Sequence, residues 1–120
     1  MDIEYFREYC LAKKGVTEEL PFGPDTLVYK VMGKVFALTG LDNEVFSVNL
    51  KCEPEKAIAL REEYSFIIPG YHMNKKHWNT VNFERTPTKL ASELIDHSYE
   101  IVVAGLTKKM QVELANLSND

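Results

Sequence analysis

The stretch TLVYKVMGKVFALTGLDNEVFSVNLK, residues 26–51, decides the fold. Its last segment alternates cleanly, with Phe46, Val48 and Leu50 on one side and Ser47, Asn49 and Lys51 on the other. That period of two belongs to a strand with one buried face. Two further strands precede it, TLVYKV and KVFALTG, joined through Met32-Gly33, where glycine supplies the positive φ of a tight hairpin. Asp42-Asn43-Glu44 turns the chain into the third strand. Short strands linked by tight turns, with one face apolar and one wet, predict an antiparallel sheet covered on one side only.

The flanking segments supply the cover. Residues 2–14 predict a helix, with Ile3, Phe6 and Cys10 at helical spacing, Asp2 as N-cap and Gly15 as its stop. LPFGPD, residues 20–25, is a rigid turn, since prolines around a glycine cannot extend a helix. Pro54 suits the first position of a short helix, PEKAIALREEY, with Ala57, Leu60, Arg61 and Tyr64 along one stripe. SFII is a brief extended run stopped by Pro69-Gly70, and WNTVNF is a further strand. A long helix is expected from Thr86-Pro87 onward, with Leu90, Leu94, Ile95, Tyr99, Val102, Val103 and Leu106 in its apolar stripe and a bend at His97-Ser98. The pattern is α+β: a single domain over residues 1–120, in two layers, with terminal helices packed on the apolar face of an antiparallel sheet.

Composition narrows the function classes. Hydrophobic residues make up 45% and charged residues 27% of the 120-residue chain, as in ordinary globular domains. No apolar run approaches the roughly 20 residues that span a bilayer, and MDIEYFREYC is charged from its second residue, unlike a signal peptide. A cytoplasmic protein without membrane attachment is expected. Cys10 and Cys52 stand far apart and read as reduced, partly buried small hydrophobes. The net charge of −4 argues against nucleic-acid binding by bulk electrostatics, but the charge is uneven. Residues 1–25 carry six acidic and three basic side chains, whereas residues 64–91 carry Lys75, Lys76, Arg85 and Lys89 against Glu84 alone. A polarised chain can present a basic face although its total is acidic.

The densest chemistry lies in PGYHMNKKHWNTV, residues 69–81. His72 and His77 have no Cys, Asp or Glu between them, and His97 belongs to another element, so no metal or other cofactor is expected. No GxSxG, HExxH or P-loop pattern occurs, and no enzymatic activity is expected. The basic reading goes further. Lys75 and Lys76 lead directly into a strand that opens with His77-Trp78, and alternation places Trp78 with Thr80 and Asn82 on the wet face, near Lys30 or Lys51 if those strands are neighbours. A tryptophan among lysines, histidines and asparagines suits a recognition surface, where the ring stacks and the cations hold phosphate or carboxylate. The bland alternative is a tryptophan tucked under its own loop beside solvated lysines.

Four segments taken in order, LPFGPDTLVYKVMGKVFAL, LKCEPEKAIALREEY, PGYHMNKKHWNTV and SYEIVVAGL, resemble the YjbR/MmcQ family of small bacterial proteins, from about residue 20 to residue 108. The resemblance implies a CyaY-like (frataxin-like) two-layer α+β sandwich with an antiparallel sheet and no catalytic residues. It also implies DNA binding, a label resting on the likeness of the strands to a double-wing arrangement in a phage transcription factor domain. On the family's loop motif, Lys75, Lys76, His77, Trp78 and Asn79 are the residues carried over. The frataxin likeness further implies an acidic helix for iron and a sheet-borne tryptophan for a protein partner. Here Asp2, Glu4 and Glu8 are interrupted by Arg7, too thin a ridge for iron, which leaves docking on the sheet.

Two expectations follow. The first is a non-catalytic DNA-binding domain whose Lys30, Lys34, Lys51, Lys75, Lys76 and Arg85 contact phosphates. His72, His77, Trp78, Asn74 and Asn79 would lie in the same recognition surface, the last three nearer sugars or bases. The second is a module that docks a protein or a small anion through the Trp78 surface, without DNA.

Overall fold

The computed structural model describes residues 1–117. Four helices and six strands follow in the order α1 (Ile3–Leu11), β1 (Val16–Glu19), β2 (Thr26–Val31), β3 (Lys34–Gly40), β4 (Ser47–Lys51), α2 (Pro54–Glu63), β5 (Ile67–Pro69), β6 (Trp78–Asn82), α3 (Thr88–Ala104) and α4 (Lys108–Ala115). The strands form one antiparallel sheet in the order β1-β2-β3-β4-β6-β5. The architecture is the α+β arrangement expected from the pattern, with β1 and α4 added.

Local chemistry explains the element ends. The Asp2 carboxylate accepts the Tyr5 amide at 2.9 Å and caps α1. Gly15, at φ +74°, turns the chain out of that helix. The β2–β3 hairpin closes on Met32 and Gly33 at φ +50° and +81°, the left-handed pair that matches the twist of the flanking strands. Pro54 opens α2, and the Glu53 carboxylate accepts the amides of Glu55 and Lys56 at 3.2 and 3.0 Å.

One face of the sheet carries the core. Tyr29, Val31, Ala37, Val48, Leu50 and Val81 lie buried against α1 and α3. Phe6 of α1 sits edge-on to Tyr29, Phe46 and Phe83, with ring centroids 5.2, 5.6 and 5.8 Å away. A bulge in β3, where Tyr29 pairs with Ala37 but Lys30 with Val35, leaves Phe36 as the extra residue. Its ring is fully buried edge-on to Tyr99 of α3. Ser98 bridges the layers, accepting the Lys51 amide at 2.9 Å and donating to the Phe36 carbonyl at 2.5 Å. The bend expected at His97-Ser98 is absent, because α3 runs unbroken from Thr88 to Ala104 and Ser98 faces the sheet.

Among the described residues, no helix lies on the other face. Its strand residues are Thr17 and Glu19; Thr26, Val28 and Lys30; Val35 and Leu38; Ser47, Asn49 and Lys51; Trp78, Thr80 and Asn82; and Ile68. One row crosses all six strands as Glu19, Val28, Leu38, Asn49, Thr80 and Ile68. Val28, between Glu19 and Leu38, is fully buried even here. Both edges of the sheet are short: β1 has four residues, and β5 has three and ends in Pro69.

Candidate functional site

The candidate site forms where the loop 70–77 delivers the chain into β6. Gly70 fixes the entrance, donating to the Trp78 carbonyl at 2.8 Å. A Cβ built on it would meet the Trp78 Cβ at 2.8 Å and the Trp78 carbonyl oxygen at 2.9 Å, so only glycine fits without a shift. Asn74 then organises the turn. Its side-chain oxygen accepts the Lys76 amide at 3.0 Å, and its carbonyl accepts the amides of His77 and Trp78 at 3.1 and 3.0 Å. The Lys75 ammonium reaches back to the Gly70 carbonyl at 3.3 Å.

A second anchor comes from α2. Arg61 donates from Nε to the Asn79 side-chain oxygen at 2.6 Å and from Nη2 to the Lys75 carbonyl. The Asn79 amide in turn donates to the Ala57 carbonyl at 3.4 Å. The loop is thus tied at its base, its tip and its exit, and His72 at its turn takes φ +58°. These bonds fix the path of the loop backbone.

Trp78 is half-buried on the uncovered face, with Thr80 and Asn82, as alternation requires. Its cross-strand partner is Lys51 of β4. Lys30 is farther off, paired with Val35, and its ammonium is engaged by the Glu19 carboxylate at 3.2 Å. Lys75 and Lys76 are exposed on the loop directly before Trp78, together with Asn74 and His72. His77 is half-buried, and its carbonyl accepts the Cys52 amide at 2.8 Å. The basic-aromatic group that the structure assembles is therefore Lys51, Lys75, Lys76 and Trp78.

Three other expected site residues stand apart. Asn79 alternates onto the core face, 2% exposed, where it serves as the bracket for Arg61 and Ala57 rather than as a contact residue. Lys34 pairs with Val31 at the start of β3 and reaches the group only through Lys51, with which it lines a hollow beside the end of α3. Arg85 follows the far end of β6. Trp78 and Asn82 are separated by four residues of strand, about 13 Å at ~3.3 Å per residue, so Arg85 belongs to the opposite end of the face.

Arg61 is the residue that the sequence reading assigned to a helix stripe and that holds the site together. A charged side chain within the apolar series Ala57, Leu60 and Tyr64 was the available signal. Charge is sorted across the fold. Glu19, already paired with Lys30, is the single carboxylate among the strand residues of the uncovered face, while Glu55, Glu62 and Glu63 are exposed on α2 and Glu4 and Glu8 on α1. Among the described residues no three His, Cys, Asp or Glu side chains are grouped to hold a metal ion. His97 sits on α3, where its Nε2 accepts the Glu53 amide at 3.2 Å. No helix among the described residues is long and apolar enough to cross a membrane.

Known proteins resemble this chain in sequence and fold. A protein of Escherichia coli O157:H7 called uncharacterized protein YbdF is 44% identical over 92 residues, covering 76% of this chain and 75% of its own. Uncharacterized protein YjbR of Escherichia coli K12 is 31% identical over 118 residues, 98% of this chain and 100% of its own. The crystal structure of Deinococcus radiodurans protein DR2400, with domain DUF419, superposes with a TM-score of 0.88 at 35% identity, covering 98% of this chain and 90% of that one. The YjbR family profile matches residues 11–101. With the match running from the end of α1 into α3, the chain belongs to the YjbR family.

Proposed function

We propose that this protein is a non-catalytic DNA-binding module that grips the sugar-phosphate backbone with the Trp78 end of its uncovered sheet face. One observation carries the reading: Trp78 lies beside Lys51 and directly after Lys75-Lys76, on a face whose strands carry one carboxylate, already paired. Lys51, Lys75 and Lys76 are the phosphate contacts in this reading, and the Trp78 ring packs on sugar or base. The reading places the protein in the cytoplasm and takes the fold as CyaY-like, supported by two helices, α1 and α3, lying on one side of an antiparallel meander.

Three phosphate contacts give a log–log salt slope of roughly −3 on duplex DNA. The test is a titration with a mixed-sequence duplex at low and near-physiological salt, following Trp78 fluorescence and the anisotropy of labelled DNA. The expected result is binding that weakens steeply with salt and is lost in the Lys75→Glu, Lys76→Glu double variant. Absence of binding at low salt overturns the DNA reading.

A second reading is protein docking on the same face. It is favoured by exposed apolar side chains on β5 and the loop that follows it, namely Ile68 at 50% and Tyr71 at 67% exposure. In that case Trp78→Ala removes binding, and ionic strength has little effect.

A further inference from the structure

At the end of the uncovered face away from Trp78 lies a hollow of about 280 Å³, lined by Val45, Ser47, Ser65, Phe66, Ile68, Thr80, Asn82 and Arg85. Its polar groups are mostly donors. The Arg85 guanidinium lies 5.6 Å from the centre of the Phe66 ring and makes one side-chain bond among the described residues, from Nη2 to Ser65 Oγ at 3.3 Å. No carboxylate lies within ion-pairing distance of it, since the ion pairs among the described residues are Arg7–Glu18, Lys13–Asp96 and Lys30–Glu19. The Asn82 side-chain oxygen is occupied by the Glu84 amide at 2.9 Å, which leaves its NH₂ group to donate. Ser47 makes no side-chain hydrogen bond among the described residues, while Thr80 is already spent between the Tyr71 amide and the Asn49 side chain. The rest of the lining is apolar, from Val45, Phe66 and Ile68.

We infer that this hollow binds a small organic carboxylate carrying a short apolar group. A guanidinium above an aromatic ring offers a planar fork that matches a carboxylate, and the surrounding hydroxyl and amide donors supply further bonds. The apolar wall selects a carboxylate with a hydrophobic tail over inorganic phosphate, whose full hydration the wall cannot replace. The hollow is slightly smaller than pockets for drug-sized ligands, which run from roughly 300 Å³ upward, so the ligand is small. The site is independent of DNA binding, because Lys51, Lys75, Lys76 and Trp78 take no part in it.

The experiment uses ¹⁵N-labelled protein and three probes at constant ionic strength: sodium benzoate, its neutral near-isostere benzyl alcohol, and inorganic phosphate. Amide signals of Ser47, Phe66 and Asn82 and the Nε–H signal of Arg85 are followed. Benzoate should give saturable shifts confined to these residues, with Kd on the order of 1 mM for so small a ligand. Benzyl alcohol and phosphate should each bind about tenfold more weakly, and Arg85→Gln should weaken benzoate by about tenfold or more. Arg85 is exposed, so its variant should keep the fold, checked by the unchanged amide spectrum elsewhere. The Lys75→Glu, Lys76→Glu variant should bind benzoate unchanged, which separates this site from the DNA surface. Benzyl alcohol binding as well as benzoate, phosphate binding as well as benzoate, or no saturable shift in tens of millimolar benzoate each overturns the inference.

Discussion

The two faces of one sheet differ in what they were built to touch. On the covered face Phe6, Tyr29, Phe36 and Phe83 are sealed from water, and even the polar Thr39, Asn79 and Ser98 are hydrogen-bonded in place. On the other face the strand residues include lysines, asparagines, threonines and a half-buried tryptophan, with carboxylates nearly absent. One side of the sheet carries the core and the other carries polar and basic side chains open to water. Substitutions on the two sides should therefore differ in what they cost in stability.

The largest contrast comes from the aromatic cluster. Phe6→Ala should lower unfolding free energy by about 3–5 kcal/mol, because a fully buried ring against three others leaves a cavity. Urea denaturation measures this, and a loss below about 1 kcal/mol would break the distinction between the faces. Next comes Arg61→Ala, which strips the buried Asn79 oxygen of its partner and should cost about 1–3 kcal/mol. It should also speed amide exchange in residues 70–77, which the core substitution at matched destabilisation should not do selectively. On the uncovered face, Leu38→Thr should cost only about 1 kcal/mol or less, since Leu38 is half-buried and threonine suits a strand. A penalty rivalling that of Phe6→Ala would mean that this face is a second core.

The smallest expected effect is a pH dependence. Burial, followed by the nearby Lys56 charge, lowers the His97 pKa below 6.5, and its Nε2 accepts the Glu53 amide only while unprotonated. A histidine with a depressed folded pKa binds fewer protons in the folded state than in the unfolded chain. Its contribution is therefore complete above pH 6.5 and is lost as pH falls through the window between 6.5 and the folded value. Glu18, held below its ordinary range chiefly by its hydrogen bond from Arg7, adds a further loss at lower pH, below 4.5. Denaturation midpoints recorded at pH 7.5 and 5.5 should fall in the parent protein and fall less in His97→Gln. Parallel curves would remove His97 as the source.

Legibility from sequence tracked how many constraints each residue satisfied at once. The β2–β3–β4 strands, the Asp2 cap and Pro54 were readable because alternation, turn chemistry and capping agreed. Strand β1 was not. Val16-Thr17-Glu18-Glu19 has one apolar residue and pairs along one side only, with Tyr29 and Arg7 rather than hydrophobic burial fixing Glu18. Helix α4 escaped because Leu114 is its one buried residue. At the site, alternation placed Trp78 outward correctly, and the same alternation sends Asn79 inward; grouping by adjacency in sequence put both in one surface. The Arg61 bracket joins residues 14 and 18 positions apart, and no local pattern encodes such a pairing.

The short edges of the sheet carry a last consequence, for self-assembly. Strand β5 ends in a proline that has no amide to offer an incoming strand, and β1 is four residues long with two carboxylates among them. Growth by adding strands, the route to domain-swapped oligomers and fibrils, is hindered at both ends. A sheet with such edges is closed to the commonest route by which β-proteins aggregate.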